Sequence, residues 1–414
     1  MSIQLRPHQQ RSLNALLANH CGQVIFPTGG GKTLVGICDA MRRFEQASSP
    51  IAIVVVAPRI LLAEQLSSEY LEFITNASVM HVHSGETHHF SSTKLTEIAG
   101  HDTMCRIAGK HQLIFTTYNS LQRVVDSGIE IDTIYYDEAH NSIQRHFFGA
   151  VETIANRGVR RFYFTATPKH SFTPKKPGMN NTPVYGDVIA NVPAPELIQG
   201  GFIIPPQVMV QEMPSISQFE SVAERDCANL LNIIDNNENM DKVLVAAAKT
   251  KDLVALFSES GFEMEMAERG YHTMWITAKH GAIIDGKKVN REVFFETLSS
   301  WGSDDTKKFV VLHHSILAEG INVSGLTSCI LMRNMDIITM AQTIGRVIRL
   351  HKNDAQRLRS GELQPGKLED YTKSFGLVCV PVFSQAGVGT AKRLQNVVDV
   401  IFEKGEAAIS GIRR

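Results

Sequence analysis

The 414-residue sequence has few cysteines, almost no net charge and no long apolar segment. Its six cysteines are scattered without close pairs, which argues against a disulfide framework, a zinc ribbon or an iron–sulfur cluster and indicates a reducing compartment. No membrane-spanning stretch or signal peptide is visible, so we expect a cytoplasmic protein, or one of the host cytoplasm if the source is viral. Because the net charge is −1, any nucleic-acid binding must come from a local groove.

A glycine-rich stretch, FPTGGGKT at residues 26–33, lies between an apolar run and a helix-compatible run. This order of strand, glycine loop, Lys-Thr and helix is the layout of a phosphate-binding loop. Glycines let backbone N–H groups surround phosphate oxygens, and the helix N-terminus favours negative charge. Lys32 can reach the terminal phosphates, and Thr33 can hold Mg²⁺ through its hydroxyl. Phe26 departs from the general pattern, which has a small residue there, and an ordinary glycine-rich turn is the alternative.

A second motif, Asp137-Glu138-Ala139-His140, follows the apolar run at 134–136. An acidic pair at the end of a strand is what a Mg²⁺–nucleotide site needs beside its phosphate loop. We expect Asp137 to hold the metal, through water, and Glu138 to orient or deprotonate the attacking water. A lone acidic pair is more often only solvated, but the phosphate loop and this motif together predict a Mg²⁺–nucleotide site.

Short apolar runs alternate with helix-compatible segments along most of the chain. Strands are predicted at 51–56, 113–115, 134–136, 161–164, 243–247, 274–276, 309–312, 329–332 and 377–380. Such alternation predicts the α/β class, with parallel sheets covered by helices on both faces. The length predicts two domains, at residues 1–205 and 206–414. Residues 75–112 look less regular, and recurring prolines indicate that 168–215 form a connection without regular elements.

Two arginines, Arg346 and Arg349, lie three residues apart in the stretch from Gln342 to Arg349. On a helix this spacing places both guanidinium groups on one face. Two arginines aimed at one place suit a transferring γ-phosphate. For the pair taken alone, a solvated basic helix face is the alternative.

A histidine-rich patch could hold a metal ion, because imidazole and thiolate are zinc ligands. Its spacing matches no closed zinc site, so we expect a polar surface loop instead. The patch comprises His81, His83, His88, His89, His101, Cys105 and His111.

In the order of its motifs, the chain resembles the superfamily-2 helicases of the DEAH type. The resemblance implies two RecA-like parallel-sheet domains in tandem, with ATP and Mg²⁺ in the cleft between them. It also implies that the second domain supplies arginine fingers to the nucleotide. The RPHQ start, the glycine loop, the TATP stretch at 165–168 and the connection at 200–206 resemble most the UvsW-type phage DNA helicases and the motor parts of type III restriction enzymes.

The resemblance assigns roles residue by residue. Nucleotide binding falls to Arg6, Gln9, Thr28, Gly29, Gly30, Gly31, Lys32, Thr33, Gly320 and Asn322. Metal binding falls to Thr33 and Asp137, and catalysis to Lys32, Glu138, Gln342, Arg346 and Arg349. Contact with nucleic acid and coupling to hydrolysis fall to Pro58, Arg59, Thr117, His140, Thr165 and Thr167. Asn322 stands where the family often has Asp, so it can accept a hydrogen bond but brings no charge.

The favoured interpretation is an ATP-dependent DNA helicase or translocase that moves along or remodels DNA, including branched DNA. Its expected partners are nucleic acid, DNA before RNA, and proteins of replication, recombination or repair. Two alternatives stay open at this point. One is an RNA-dependent ATPase or helicase with the same motor, and the other is an ATP-switched clamp that binds nucleic acid without unwinding it.

Overall fold

The computed structural model describes residues 3–173, 176–213, 221–277, 279–314, 325–333, 335–382 and 385–412. The chain divides into two compact units. Unit 1 comprises Met1–Pro193 and Ala407–Arg414, and unit 2 comprises Ala194–Glu406. Among the described residues, none of the helices combines the length and the apolar character that crossing a membrane requires.

Unit 1 is built on a parallel sheet, as the sequence predicts. Its strands are β1 Cys21–Ile25, β2 Ala52–Ala57, β3 Ala77–Val82, β4 Phe90–Ser91, β5 His111–Thr117, β6 Thr133–Tyr136, β7 Arg160–Thr165 and β9 Val188–Asn191, in the order β4-β3-β5-β2-β6-β7-β1-β9. Neighbouring strands of this sheet are all parallel. Because β6, β7 and β1 are neighbours, the loops after these three strands meet at one edge, where ligands bind in open α/β sheets.

The helices of unit 1 alternate with these strands. They are α1 Pro7–Ala18, α2 Lys32–Gln46, α3 Ile60–Leu71, α4 Leu95–Ile107, α5 Leu121–Asp126, α6 Arg145–Asn156 and α7 Thr182–Tyr185, with one 3₁₀ turn at Ala139–Asn141. The central strand β2 is buried along its whole length, which explains its run of alanine, isoleucine and valine without polar alternation. A separate pair of parallel strands, β8 Lys169–Ser171 and β18 Ser410–Ile412, joins the chain end to unit 1.

A buried ion pair fixes the helix that follows the glycine loop. Arg160, on β7, donates to both carboxylate oxygens of Asp39, on α2, at 2.6 and 2.8 Å. The hydroxyl of Tyr135, on β6, donates to the same carboxylate at 2.5 Å. Since a buried charge needs such partners, the contacts hold α2 against the two strands that end at the site.

Two segments are more regular than the sequence indicates. Residues 75–112 contain β3, β4, α4 and the start of β5, and residues 168–213 contain β8, α7, β9 and two further elements of unit 2. The prediction of irregular structure was therefore wrong in both places. Pro183 fits because it lies in the first turn of α7, where no backbone donor is needed.

The expectation of a polar surface loop was wrong for part of the histidine-rich patch. The side chains of His81, on β3, and His83, which directly follows β3, are 0% and 1% exposed, because both lie against helix α3. Burial, with repulsion from His83 and His89, lowers the pKa of His81 to about 3, so its ring is neutral at neutral pH. These two rings are part of the packed interior of unit 1.

Unit 2 is a second α/β unit with a mixed sheet. Its strands are β10 Pro206–Glu212, β11 Lys242–Ala246, β12 His272–Thr277, β13 Gly281–Ile284, β14 Lys287–Val289, β15 Phe309–His313, β16 Ser328–Leu331 and β17 Gly376–Val382, in the order β10-β17-β16-β11-β15-β12-β13-β14. The first six strands in this order pair in parallel, and β13 and β14 add an antiparallel edge. The five strands predicted in the second half are all present.

Helices cover this sheet as well. They are α8 Ala194–Gln199, α9 Val222–Asp235, α10 Thr250–Glu259, α11 Phe262–Glu268, α12 Arg291–Ser303, α13 Ile337–Val347, α14 Lys352–Ser360 and α15 Gln385–Val398. Short 3₁₀ and π-helical segments follow at Leu368–Asp370 and Asp399–Glu403.

The division between the units precedes the predicted boundary after residue 205. Ile204 N donates to Ile348 O at 2.9 Å, and Gly376 N donates to Pro205 O at 2.9 Å. These backbone contacts attach the segment from residue 194 onward to unit 2. The chain then returns to unit 1 at residue 407, a crossing that no local sequence pattern indicates.

Candidate active site

The glycine loop leads from the end of β1 into the first turn of α2. Gly29 and Gly31 have φ angles of 89° and 78°, a left-handed conformation that glycine adopts without a Cβ penalty. Gly31 is the residue before helix α2, which begins at Lys32. Backbone N–H groups at such a helix start are available to an anion, and the helix dipole favours negative charge there.

Helix α1 holds this loop in place from the side. Gln9 Nε2 donates to Gly31 O at 3.0 Å, and its Oε1 accepts from Arg6 N at 3.0 Å. His8 Nε2 lies 2.9 Å from Gly30 O, a loop contact that the sequence prediction missed. A Cβ on Gly31 would lie 2.4 Å from Gln9 Nε2, so a side chain there would displace the Gln9 amide from the loop. His8 and Gln9 therefore support the loop through its carbonyl groups.

The lysine of the loop meets both acidic residues of the second motif. Lys32 Nζ donates to Glu138 Oε1 at 2.7 Å and lies 3.4 Å from Asp137 Oδ1. Burial opposes the charge on Lys32, but Asp137 and Glu138 more than offset it and raise its pKa. Burial raises the pKa of Asp137 to about 6; Lys32 opposes this rise and Glu138 adds to it. One cation and two carboxylates thus share a partly enclosed space at the ends of β1 and β6.

Glu138 has a backbone conformation that is unusual for a residue with a side chain. Its φ and ψ angles are 45° and 54°, in the left-handed region. Strain of this kind costs on the order of 1 kcal/mol and persists only where surrounding contacts maintain it. Asn141 Nδ2 donates to Glu138 O at 3.1 Å, and Tyr118 Oη donates to Asp137 O at 2.9 Å. Both contacts hold the acidic pair in its conformation.

His140 connects the acidic motif with the end of β7. Its Nδ1 lies 3.1 Å from Thr165 Oγ1 and 3.5 Å from Glu138 Oε2. Thr165 Oγ1 in turn accepts from Thr167 N at 3.1 Å. His140, Thr165 and Thr167 are all buried, so none of the three faces solvent.

The residues expected to contact nucleic acid differ in exposure. Arg59 is exposed and precedes the first turn of α3, while Pro58 is half-buried. Thr117, at the end of β5, is 4% exposed. Its hydroxyl therefore does not face solvent in this structure, and Arg59 is the member of the set that a strand could reach directly.

In unit 2, helix α13 carries part of the arginine motif. Gln342 and Arg346 lie on this helix and are 6% and 4% exposed. The helix ends at Val347, so Arg349 lies beyond it and pairs with Ile203 in an isolated antiparallel bridge. The prediction that both arginines share one helix face was therefore wrong, because Arg349 is part of an extended segment.

A buried lysine that the sequence analysis missed secures this helix end. Lys373 Nζ donates to Leu326 O, Val347 O and Arg349 O at 2.6, 2.6 and 3.1 Å. The last carbonyls of a helix lack partners within the helix, and the ammonium group supplies them here. A single lysine before a strand gives no sequence signal for this role. Gly320 and Asn322, expected near the nucleotide, lie outside the described residues.

Comparison with known proteins gives one family match. Residues 2–170 match the family described as "Type III restriction enzyme, res subunit". No curated protein matches the chain at a significant level.

Solved structures share the fold across the whole chain. The ATP-dependent Type ISP restriction-modification enzyme LlaBIII bound to DNA has a TM-score of 0.74 at 16% identity, over 99% of this chain and 31% of that one. A fragment of a putative HsdR subunit of a type I restriction enzyme from Vibrio vulnificus YJ016 has a TM-score of 0.61 at 13% identity. The match covers 98% of this chain and 68% of that one. S. cerevisiae Dbp5 bound to RNA and ADP BeF3 has a TM-score of 0.58 at 15% identity. The match covers 98% of this chain and 89% of that one.

These structural likenesses establish the fold, two parallel-sheet RecA-like units in tandem. The chain spans less than a third of the Type ISP enzymes that it matches, with 31% and 30% coverage of two of them. The family match covers most of unit 1, including the glycine loop and the acidic motif. Residues 2–170 are thus similar to the res subunits of type III restriction enzymes, and the fold of the chain is similar to that of the restriction-enzyme structures named above.

Proposed function

We propose that this chain is an ATP-dependent DNA motor, which hydrolyses ATP with Mg²⁺ to move along or remodel DNA. One observation carries the proposal. Lys32, Asp137 and Glu138 converge within 2.7–3.4 Å at the strand ends of a domain that matches a restriction-enzyme motor family. This is the set of charges that phosphoryl transfer to water requires.

Each residue of this group has a distinct role in the proposal. Lys32 binds the terminal phosphates. These phosphates compete with Asp137 and Glu138 for the ammonium group of Lys32. Thr33 and Asp137 would hold Mg²⁺, which when bound neutralises charge on the phosphate oxygens. Glu138 then orients the attacking water and accepts its proton. The fit of the metal rests on the donor set, because a hydroxyl and a carboxylate are the oxygen ligands that Mg²⁺ prefers.

Coupling to movement is proposed to pass through His140. This ring touches Thr165 and lies within 3.5 Å of Glu138, so a change at the acidic pair alters the loop after β7. Arg346 and Arg349 complete the proposal as cationic groups that stabilise charge on the transferring phosphate. Arg346 is on α13 and Arg349 follows it, so the two need not act alike.

The choice of DNA over RNA is supported by the family match. By their descriptions, the matching family and the Type ISP and HsdR structures are restriction enzymes, and the two Type ISP enzymes are bound to DNA or to a DNA substrate mimic. Arg59 offers an exposed cation of the kind that contacts phosphates, which carries no sequence information. We therefore expect little sequence preference.

A second candidate, an RNA-dependent ATPase, is favoured by a different observation. The chain covers 89% of Dbp5 and 75% of Mss116p, both of which are bound to RNA in those structures. The two Type ISP restriction enzymes are matched over only 31% and 30% of their length, and the HsdR fragment over 68%. Two of the structures that this chain spans to three quarters or more are thus bound to RNA.

Movement on duplex DNA, on a DNA fork and on the matching RNA duplex distinguishes these functions. A fluorescent third strand bound to duplex DNA should be displaced in the presence of ATP, because a translocating motor removes obstacles on its path. The Lys32→Ala chain is the control and should displace none. Strand separation on RNA alone would favour the RNA-dependent ATPase. ATP-dependent binding without displacement on any substrate would favour a clamp and contradict the motor.

A further inference from the structure

Three side chains of unit 1 direct metal-binding atoms toward one point, away from the phosphate loop. His81 Nδ1 lies 3.0 Å from His83 Nε2 and 3.2 Å from Glu64 Oε1. His83 Nε2 lies 3.1 Å from the same Glu64 oxygen. The three atoms form a nearly equilateral triangle. Among the described residues, this is the group of histidine, cysteine and acidic side chains whose geometry suits a metal ion.

The edges of this triangle have the length that a small ion imposes. A tetrahedral Zn²⁺ site with bonds of about 2.0–2.1 Å separates its ligand atoms by about 3.3 Å. The observed separations of 3.0–3.2 Å are only slightly shorter. An ion above the triangle would therefore fit after shifts of a few tenths of an ångström, without backbone rearrangement.

Hydrogen bonds account for the placement of the two rings, which meet each other, Ser67 and Gly85, but not for that of Glu64. Glu64 Oε1 is buried, yet no donor in the described part of the chain meets it in hydrogen-bonding geometry. A buried carboxylate oxygen without a donor is costly, and an ion at the triangle would remove that cost. The other side of Glu64 reaches solvent, since its side chain is 30% exposed, so an ion has a path of entry.

We propose that Glu64, His81 and His83 bind one Zn²⁺ ion. Two imidazole nitrogens and one carboxylate oxygen are zinc ligands, and three protein ligands leave a fourth position for water. Glu64 comes from α3, whereas His81 lies on β3 and His83 directly follows it. The ion would therefore join the helix to the strand end. The sequence pattern did not reveal this set, because the carboxylate lies far from the histidine-rich patch.

The surroundings of the two rings differ in how well they suit this ion. His81 Nε2 lies 3.2 Å from Ser67 Oγ, so this nitrogen can keep its proton while Nδ1 binds the metal. His83 Nδ1 accepts from Gly85 N at 3.2 Å, which places the ring proton on Nε2 in the metal-free ring. Zinc at Nε2 moves that proton to Nδ1 and breaks the Gly85 contact, which lowers the affinity.

Zinc content of the full chain, purified without a polyhistidine tag, tests the proposal. After incubation with Zn²⁺ and desalting, elemental analysis should find one ion per wild-type chain. Glu64→Gln and His83→Gln should lose it, while His146→Gln, an exposed imidazole on α6, should retain it. Zinc should also raise the thermal midpoint of the wild type and of His146→Gln, but not of the other two variants.

The Co²⁺-loaded chain gives a second readout, independent of ATP hydrolysis. Its visible spectrum should show ligand-field bands without thiolate charge transfer, because the set contains no cysteine. Midpoints of the zinc-free variants close to wild type would show that they fold. The proposal is overturned if the folded wild type retains no zinc, or if either Glu64→Gln or His83→Gln keeps its ion. A thiolate spectrum would also overturn it, since the ion would then lie elsewhere.

Discussion

Lys32 Nζ donates to Glu138 Oε1 at 2.7 Å, which joins the phosphate loop directly to the acidic motif. The two residues are 106 positions apart in sequence and meet because β1 and β6 lie on either side of β7 in one parallel sheet. A phosphate that binds Lys32 would release Glu138 from this contact. The pair thus offers a simple link between nucleotide binding and the availability of the proposed base.

Substitutions in this pair should affect different steps. Lys32→Ala removes the cation from the loop, so we expect weak nucleotide binding and no hydrolysis. Glu138→Gln keeps the side-chain shape and leaves Asp137 and Lys32 in place, so nucleotide should still bind while turnover stops. Binding of a fluorescent ATP analogue and phosphate release measure the two steps. Normal turnover by Glu138→Gln would refute the role assigned to this carboxylate.

The raised pKa of Asp137 predicts a pH-dependent gain in stability for Asp137→Asn. The folded chain binds this proton more tightly than the unfolded chain, since the pKa rises from 3.8 to about 6. The protonated Asp137 carboxyl therefore contributes its full stability to the folded chain below pH 3.8. This contribution to the free energy of unfolding is lost as the pH rises through about 6. Above pH 6 the buried charge destabilises the fold by about 1–3 kcal/mol, and the variant avoids this.

Urea unfolding in metal-free buffer at pH 4, 6 and 8 measures this effect. Asp137→Asn should be more stable than wild type at pH 8, and the difference should shrink toward pH 4. Asp126→Asn, at an exposed position on α5, is the matched control and should show no such trend. A constant difference at all three pH values would contradict the burial argument.

The contact between His140 and Thr165 predicts a separation of hydrolysis from movement. Thr165→Val removes the hydroxyl that meets His140 Nδ1 and Thr167 N, while its shape changes little. ATP hydrolysis should be retained in large part, whereas third-strand displacement should fall steeply. Thr103→Val, an exposed hydroxyl on α4, should leave both unchanged. Equal loss of hydrolysis and displacement would show that Thr165 serves catalysis or folding.

The two arginines of the last motif should differ in effect. Arg346 is buried on α13, whereas Arg349 lies beyond the helix end. The guanidinium group of Arg346 therefore has the more restricted position. If Arg346 stabilises the transferring phosphate, Arg346→Ala lowers kcat by ~10³ or more with a smaller change in KM. Arg349→Ala should lower kcat less.

Arg359→Ala, an exposed arginine on α14, is the control for this comparison. Thermal unfolding must accompany the kinetics, because removal of a buried arginine can destabilise unit 2. Loss of nucleotide affinity by Arg346→Ala as large as its loss of turnover would contradict the proposed role in the transition state.

Much of the fold follows from local sequence. Buried parallel strands such as β2 need continuous apolar runs, and the glycine loop needs residues without a Cβ, so both leave a clear pattern. The same reasoning failed for Arg349, because the helix ends where Lys373 binds its carbonyls and a bridge to Ile203 begins. Such an end depends on contacts distant in sequence.

The candidate site was predictable to a similar extent. Lys32, Asp137 and Glu138 were identified because phosphate chemistry needs those residue types after strands, and the structure brings them together. His8 and Glu64 were not, since a single polar residue on a helix has many ordinary roles. Only the packing of α1 against the loop and of α3 against β3 gives these two residues their partners.

The proposed motor function can be tested by nucleic-acid-stimulated ATP hydrolysis. Phosphate release by the purified full chain should be measured with ATP and Mg²⁺, without nucleic acid and with single-stranded, duplex or forked DNA or the matching RNA. We expect hydrolysis that rises on addition of DNA, with little sequence preference, and that is absent in Lys32→Ala. No ATP hydrolysis by the folded chain, or equal hydrolysis by Lys32→Ala, would contradict the account.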